Sequence, residues 1–457
     1  MKHFLLLAVC LAAVFLGACS TESQLPVATG EASVRAINTI PTSPSFSFLI
    51  QERLIGAVEY KTASEPARYD DIDYTFSFEV LLPGDPPRIT RVASQVLAVE
   101  ADRDYTFVIS GPIAAPVITV WEGDDRAWDG SETVFEARLG HTAASLGDVD
   151  VYFDAATTPP TLGPVLGTLA FSEVLPAADF ETGDYILTIT AAGDPTNVHF
   201  ESAPVNISAR ISAIISVFEG DANDLSPWSV RLFNQNAGGA GVLVDPRFLP
   251  TLRLFHASMD FGAADVYFDD PLTAPVLEDH AFGDITDDLD VPAGTLPLTY
   301  TTADNIGSIL IDAERAIPAI ARTHLYVVRN SLGDDVLVDH FPDRRSIETR
   351  ARLSIIHTAT SHAAVDIYFV PRVLPIDETR ELSEDALPLI RGLALSSDPR
   401  QFPMVAGSFD IFVTVLGDKT VLAGPIPLDT SLGDVIDMII YENVDPNVVD
   451  LAFIPVP

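Results

Sequence analysis

A histidine followed nine residues later by an Asp-(Val/Ile)-Tyr-Phe run occurs three times in the chain. His141 precedes Asp150-Val151-Tyr152-Phe153, His256 precedes Asp265-Val266-Tyr267-Phe268, and His357 precedes Asp366-Ile367-Tyr368-Phe369. Imidazole titrates near neutrality and a carboxylate can orient it, so the pair has the makings of general acid–base chemistry or of a metal site. Hydrolysis would also need a nucleophile at a fixed place, yet Thr142, Ala257 and Thr358 follow the three histidines. Zinc would need roughly three or four ligands where two recur. A structural role fits better. On an Asp-x-Tyr strand the aspartate shares a partly buried face with the tyrosine, where a carboxylate needs a partner. The expectation is that His141 and Asp150, His256 and Asp265, and His357 and Asp366 are structural pairs, and that no residue of the chain is catalytic.

The elements that carry these residues repeat as well. Upstream, "VRAINTIPTSPSFSFLI" (34–50) keeps the frame, with Asn38 at the histidine position and Ser47 at the aspartate position. The markers Asn38, His141, His256 and His357 are 103, 115 and 101 residues apart, which is domain spacing rather than solenoid spacing. "VDVYF" (149–153) alternates with Val149, Val151 and Phe153 on one side. "DYILTITAAGD" (184–194), "GTLPLTYTTAD" (294–304) and "GSFDIFVTVLGD" (407–418) are β-branched or aromatic runs that end in turn residues. The best helical pattern, 379–395, is interrupted by Pro388. "NQNAGGAG" (234–241) reads as a flexible linker. The fold class expected is all-β, a string of antiparallel, immunoglobulin-like β-sandwiches: 31–130 (divergent), 131–245, 246–345 and 346–457.

The segment "RLFHAS…ADVYFD…AFGDITDDLDVPAG" (253–294) resembles the DUF4397 domain, a repeat family of bacterial secreted and surface proteins. The third unit resembles it best, the second and fourth over their front halves, and the first least. The resemblance implies no activity and assigns no residue a role.

The amino terminus speaks to location. "MKHFLLLAVCLAAVFLGAC" has an early Lys2, an apolar stretch too short to span a bilayer, and Leu16-Gly17-Ala18-Cys19. Those four residues resemble a lipobox, which implies a signal peptide over 1–18, lipidation of Cys19 and a tether over 19–30. Two or more acyl chains hold a protein stably at a membrane. Ser20 after the cysteine implies, by resemblance to lipoprotein sorting, the outer membrane of a Gram-negative cell envelope. Cys10 lies in the leader, so the mature chain has no disulfide.

Acidic residues number 65 against 26 basic ones, with only Lys2, Lys61 and Lys419 as lysines, for a net charge of −39. Such a surface repels nucleic acid. The apolar fraction of 47% argues for folded domains rather than an acidic tail. Among the acidic clusters, "GDDRAWDGSE" (123–132), with Asp124, Asp125 and Asp129, is the best candidate for Ca²⁺, which takes roughly six to eight oxygens; solvated loops are the alternative. No other cofactor is implied. Trp121, Trp128 and Trp228 near the ends of the first two units are expected to pack at joints, with sugar stacking as the alternative. The function expected is a lipid-anchored, non-catalytic structural or binding module of the envelope, its partners the membrane and an envelope protein or polysaccharide. The alternatives are a carbohydrate- or polymer-binding component of an uptake or degradation system and an envelope hydrolase.

Overall fold

The computed structural model describes residues 27–82, 87–156, 162–237, 240–269, 274–330, 332–372, 381–397 and 400–455. Cys19 and residues 1–18, expected from the sequence to be a signal peptide, lie outside these residues.

The first sandwich shows the plan. Its strands are β1 (Glu31–Asn38), β2 (Phe46–Ile50), β3 (Arg53–Val58), β4 (Ala67–Asp70), β5 (Asp73–Leu82), β6 (Arg88–Ala98), β7 (Arg103–Ser110) and β8 (Val117–Asp124). They form one sheet in the order β4-β1-β7-β8 and a second in the order β3-β2-β5-β6. β1 runs parallel to β7, with Arg35 opposite Thr106; the other pairings are antiparallel. Alternation puts Ala32, Val34 and Ala36 of β1 and Tyr105, Phe107 and Ile109 of β7 into a core with Phe46, Phe48, Phe76 and Phe78. The aromatic centre is tight, with the Phe76 and Phe107 rings 4.2 Å apart.

Three further pairs of sheets repeat this order around their own cores. The counterparts of β1 are Val134–His141, Thr251–His256 and Ala351–His357, and those of β7 are Ser212–Glu219, Arg322–Arg329 and Val435–Glu442; each pair is parallel. The all-β sandwich architecture is therefore as the strand pattern implies. The connectivity is more particular: every sandwich contains one parallel pair, and its strand order differs from the constant-type immunoglobulin arrangement. "NQNAGGAG" is not a linker: Asn234 ends one strand and Gly241 opens the next, and Leu232 pairs with Gly241 inside the second sandwich. Nor is the described part of 379–395 helical; it holds the strand Ile390–Ala394. No helix among the described residues is long and apolar enough to cross a membrane.

The sandwiches are not loose beads. The first two press the outer faces of their β1-type sheets together through Ile37, Val108 and Trp121 on one side and Ile214, Phe218 and Phe233 on the other. The last two do the same through Phe255, Tyr326 and Val328 against Ile356 and Ile439. Both faces of β1 and β7 are thus buried, although the seam face carries Ser33, Arg35, Asp104 and Thr106, a polar alternation that in the sequence reads as solvent-exposed. Residues 341–350 lash one pair to the other. Asn223 Nδ2 donates to Asp343 (2.8 Å), the Arg344 amide donates to Asn223 Oδ1 (2.6 Å), and Thr42 Oγ1 donates to Glu348 (2.7 Å).

Candidate functional site: a buried histidine and a buried aspartate in each sandwich

The histidine ends the β1-type strand, where the chain must turn towards the facing sheet. His141 Nε2 lies 2.7 Å from the carbonyl of Gly147, and its Nδ1 accepts the Ala143 amide at 3.3 Å. A carbonyl can only accept, so Nε2 carries the proton and the ring is neutral. His256 Nε2 meets Gly262 O at 2.8 Å, and His357 Nε2 meets His362 O at 2.8 Å with Nδ1 taking the Ala359 amide. Gly147 and Gly262 sit at φ +74° and +76°, a conformation that costs a side-chain-bearing residue about 1 kcal/mol or more. All three histidines are fully buried. Burial lowers the pKa of each, that of His357 to about 4. In the first sandwich Asn38 does the same work: its Oδ1 accepts the Ile40 amide (3.0 Å) and its Nδ2 donates to Ser43 (2.8 Å) and Val58 O (3.3 Å).

The aspartate stands on the facing sheet, between two elements that need an acceptor. Asp150 takes the Thr168 hydroxyl (2.6 Å) on one oxygen and the Gly193 amide (2.7 Å) on the other. Asp265 takes the Asp279 and Asp304 amides at 3.1 and 3.0 Å, and Asp366 takes those of Gly392 and Gly417 at 2.8 and 3.0 Å. In every case one donor belongs to the β3-type strand and the other to the turn joining the β5- and β6-type strands. The carboxylate thus pins both neighbours of its own strand.

The expected pairing of histidine with aspartate is therefore corrected. In none of the three sandwiches do they share a hydrogen bond or ion pair; each has its own separate partners, all of them backbone groups except the Thr168 hydroxyl, and His256 Nδ1 is left without one among the described residues. Their joint loss in the first sandwich has two separate causes. Asparagine replaces the imidazole bond for bond. Ser47 pairs with Glu79, three residues before β5 ends, whereas Thr190, Thr301 and Thr414, opposite the aspartates, lie one residue from their strand ends. In the first sandwich the paired strands run on past Glu79 to Leu82 and Arg88, so ladder stands where an aspartate would otherwise serve a turn. The hydroxyls beside the histidines are also committed, Thr142 to Val217 O and Thr358 to Ile440 O.

The other candidates are dispersed. Asp124 pairs with Arg103, Asp125 with Arg68 at 2.6 Å, and Asp129 accepts the Ser131 amide and hydroxyl. No group of three His, Cys, Asp or Glu side chains fit to hold a metal occurs among the described residues. Trp121 is a wedge in the first seam, its Nε1 donating to Ser172 O at 2.9 Å. It closes on Gly140, where a Cβ would lie 2.6 Å from the indole. Trp128 is covered by the Arg126 guanidinium, 3.9 Å from its ring, and Trp228 packs against the second core.

Sequence reasoning missed the buried charges of the seams. Lys61 Nζ sits 2.9 Å from Asp221 and 2.5 Å from Asp224 of the next sandwich. Arg344 donates to His324 Nε2, whose Nδ1 faces Asp437 at 3.4 Å, while Asp288 is shared by Arg253, Arg322 and Arg344. The one available signal was rarity: a lysine among so few invites a specific partner.

The model of a domain of unknown function, DUF4397, matches residues 32–152 and 250–368, more than half of the chain. The chain belongs to the DUF4397 family. Each match opens on a β1-type strand and closes on the Asp-x-Tyr strand of the next sandwich, so a DUF4397 segment spans one sandwich plus the first two strands of its seam partner. No curated protein matches the sequence. Among solved structures, the Bacillus anthracis TIE protein aligns over 88% of this chain and 69% of that one, at 9% identity and a TM-score of 0.14, a likeness that carries no argument.

Proposed function

We propose that this DUF4397 protein is a lipid-anchored component of the cell envelope, built of four DUF4397 repeats and acting as a non-catalytic structural or binding module. The observation that carries this reading is the placement of the recurring His and Asp inside the sandwiches, each with backbone partners, where they brace loops instead of meeting a solute. The leader and Cys19 supply the anchor, and the acidic surface suits a partner other than nucleic acid. Metabolic labelling with palmitate, followed by membrane fractionation, tests the anchor. The wild type should label and sediment with outer membranes, and Cys19→Ala should do neither; equal labelling of the two would overturn it. For the non-catalytic role, His256→Ala and Asp265→Ala should lower the melting temperature, and an envelope activity lost without any change in melting would contradict it.

A further inference from the structure

A cleft of about 570 Å³ opens where the first, second and fourth sandwiches meet the 341–350 strap. Its volume lies within the roughly 300–1,000 Å³ range of small-molecule sites. Pro41, Val435 and Ile436 give it apolar wall, and Thr42, Asp221 and Arg345 give it polar wall. Arg345 lines the cleft, is nine-tenths buried and stands 5.7 Å from the Tyr60 ring; its Nη1 finds no acceptor among the described residues and is itself closed off from solvent, so a ligand in the cleft meets it when the side chain turns outward. A buried guanidinium stays charged, and an unmet donor on it costs about 1–3 kcal/mol. The acidic residues of the wall are already engaged: Asp221 by Lys61, and Asp434 by the Ser431 amide at 2.7 Å.

We propose that this cleft binds a small organic monoacid, its carboxylate taken by Arg345 and its apolar body lying on Pro41, Val435 and Ile436. A carboxylate matches the guanidinium fork. Asp221 and Asp434 disfavour a multiply charged anion, and the apolar wall favours a body of hydrocarbon over a bare inorganic ion. The site lies at a junction of sandwiches and is independent of the anchor and of the buried histidines.

Benzoate is the probe, titrated into the full chain and followed by calorimetry and thermal unfolding, with benzyl alcohol as the uncharged counterpart. Benzoate should bind saturably and raise the melting temperature as its concentration rises, and benzyl alcohol should bind at least tenfold more weakly. Arg345→Gln should lose at least tenfold in benzoate affinity. Ala222→Trp, which fills the cleft and leaves every buried charge in place, should abolish binding, and it keeps the test open should Arg345→Gln fold poorly. No saturable benzoate binding, equal binding of benzyl alcohol, or unchanged affinity in Ala222→Trp would overturn the proposal.

Discussion

At the scale of the residue, the buried imidazole behaves as a rigid, neutral linker between a strand end and the turn that follows. His357→Ala should cost about 1–3 kcal/mol by leaving the His362 carbonyl and Ala359 amide unmet, whereas His357→Asn should cost less, because Asn38 already fills that role in the first sandwich. Urea denaturation of both variants checks the order. Acid tests the same ring. His357 falls to about 4 when folded and sits near 6.5 when unfolded, so the unfolded chain takes up protons first. The contribution is complete above about pH 6.5 and fades as pH falls towards 4, by roughly 3 kcal/mol for this histidine. Equilibrium unfolding across that window should show the slope, and His357→Asn should flatten it. The sequence made the recurrence of these residues legible, along with the burial of the aspartates on their Asp-x-Tyr strands. It did not reveal their partners. All but the Thr168 hydroxyl are backbone groups, which no residue letter marks, so two independent braces at constant spacing look like one pair.

At the scale of the element, the aspartate decides how the β5- and β6-type strands join. One of its oxygens takes the amide of a turn residue three positions past the threonine opposite it, and that bond fixes where the turn begins in three sandwiches. Asp366→Asn turns one acceptor into a donor facing an amide N–H and should cost about 1–3 kcal/mol, read from denaturation midpoints. Ser47→Ala, at the equivalent position beside the longer hairpin, should stay within about 0.5 kcal/mol. Strands were legible where one face is polar, as in "VDVYF", whose Val149, Val151 and Phe153 do line the second core. The seam faces of β1 and β7 were not, since Arg35, Ile37 and Val108 carry no mark of a second buried side until a neighbouring sandwich is in view.

For the whole molecule, the seams convert four sandwiches into two back-to-back pairs tied by a strap. Trp121→Ala would empty the first seam and strand the Ser172 carbonyl, a loss of about 3–5 kcal/mol. Because the wedge lies between sandwiches, the variant should split a single thermal transition into two, visible by calorimetry. The frame of the DUF4397 matches acquires a physical reason here, for a sandwich cut at Asp124 would lose the face that covers Trp121. The parallel union of the first and seventh strands carries a further consequence. Arg35 waits for Thr106, about seventy residues downstream, and Arg352 waits for Val435. Contacts so distant in the chain make closure slow and late. Each module is therefore unfinished until almost its last strand has been synthesised, and a chain that stops at residue 430 would leave its final opening strand with one edge bare.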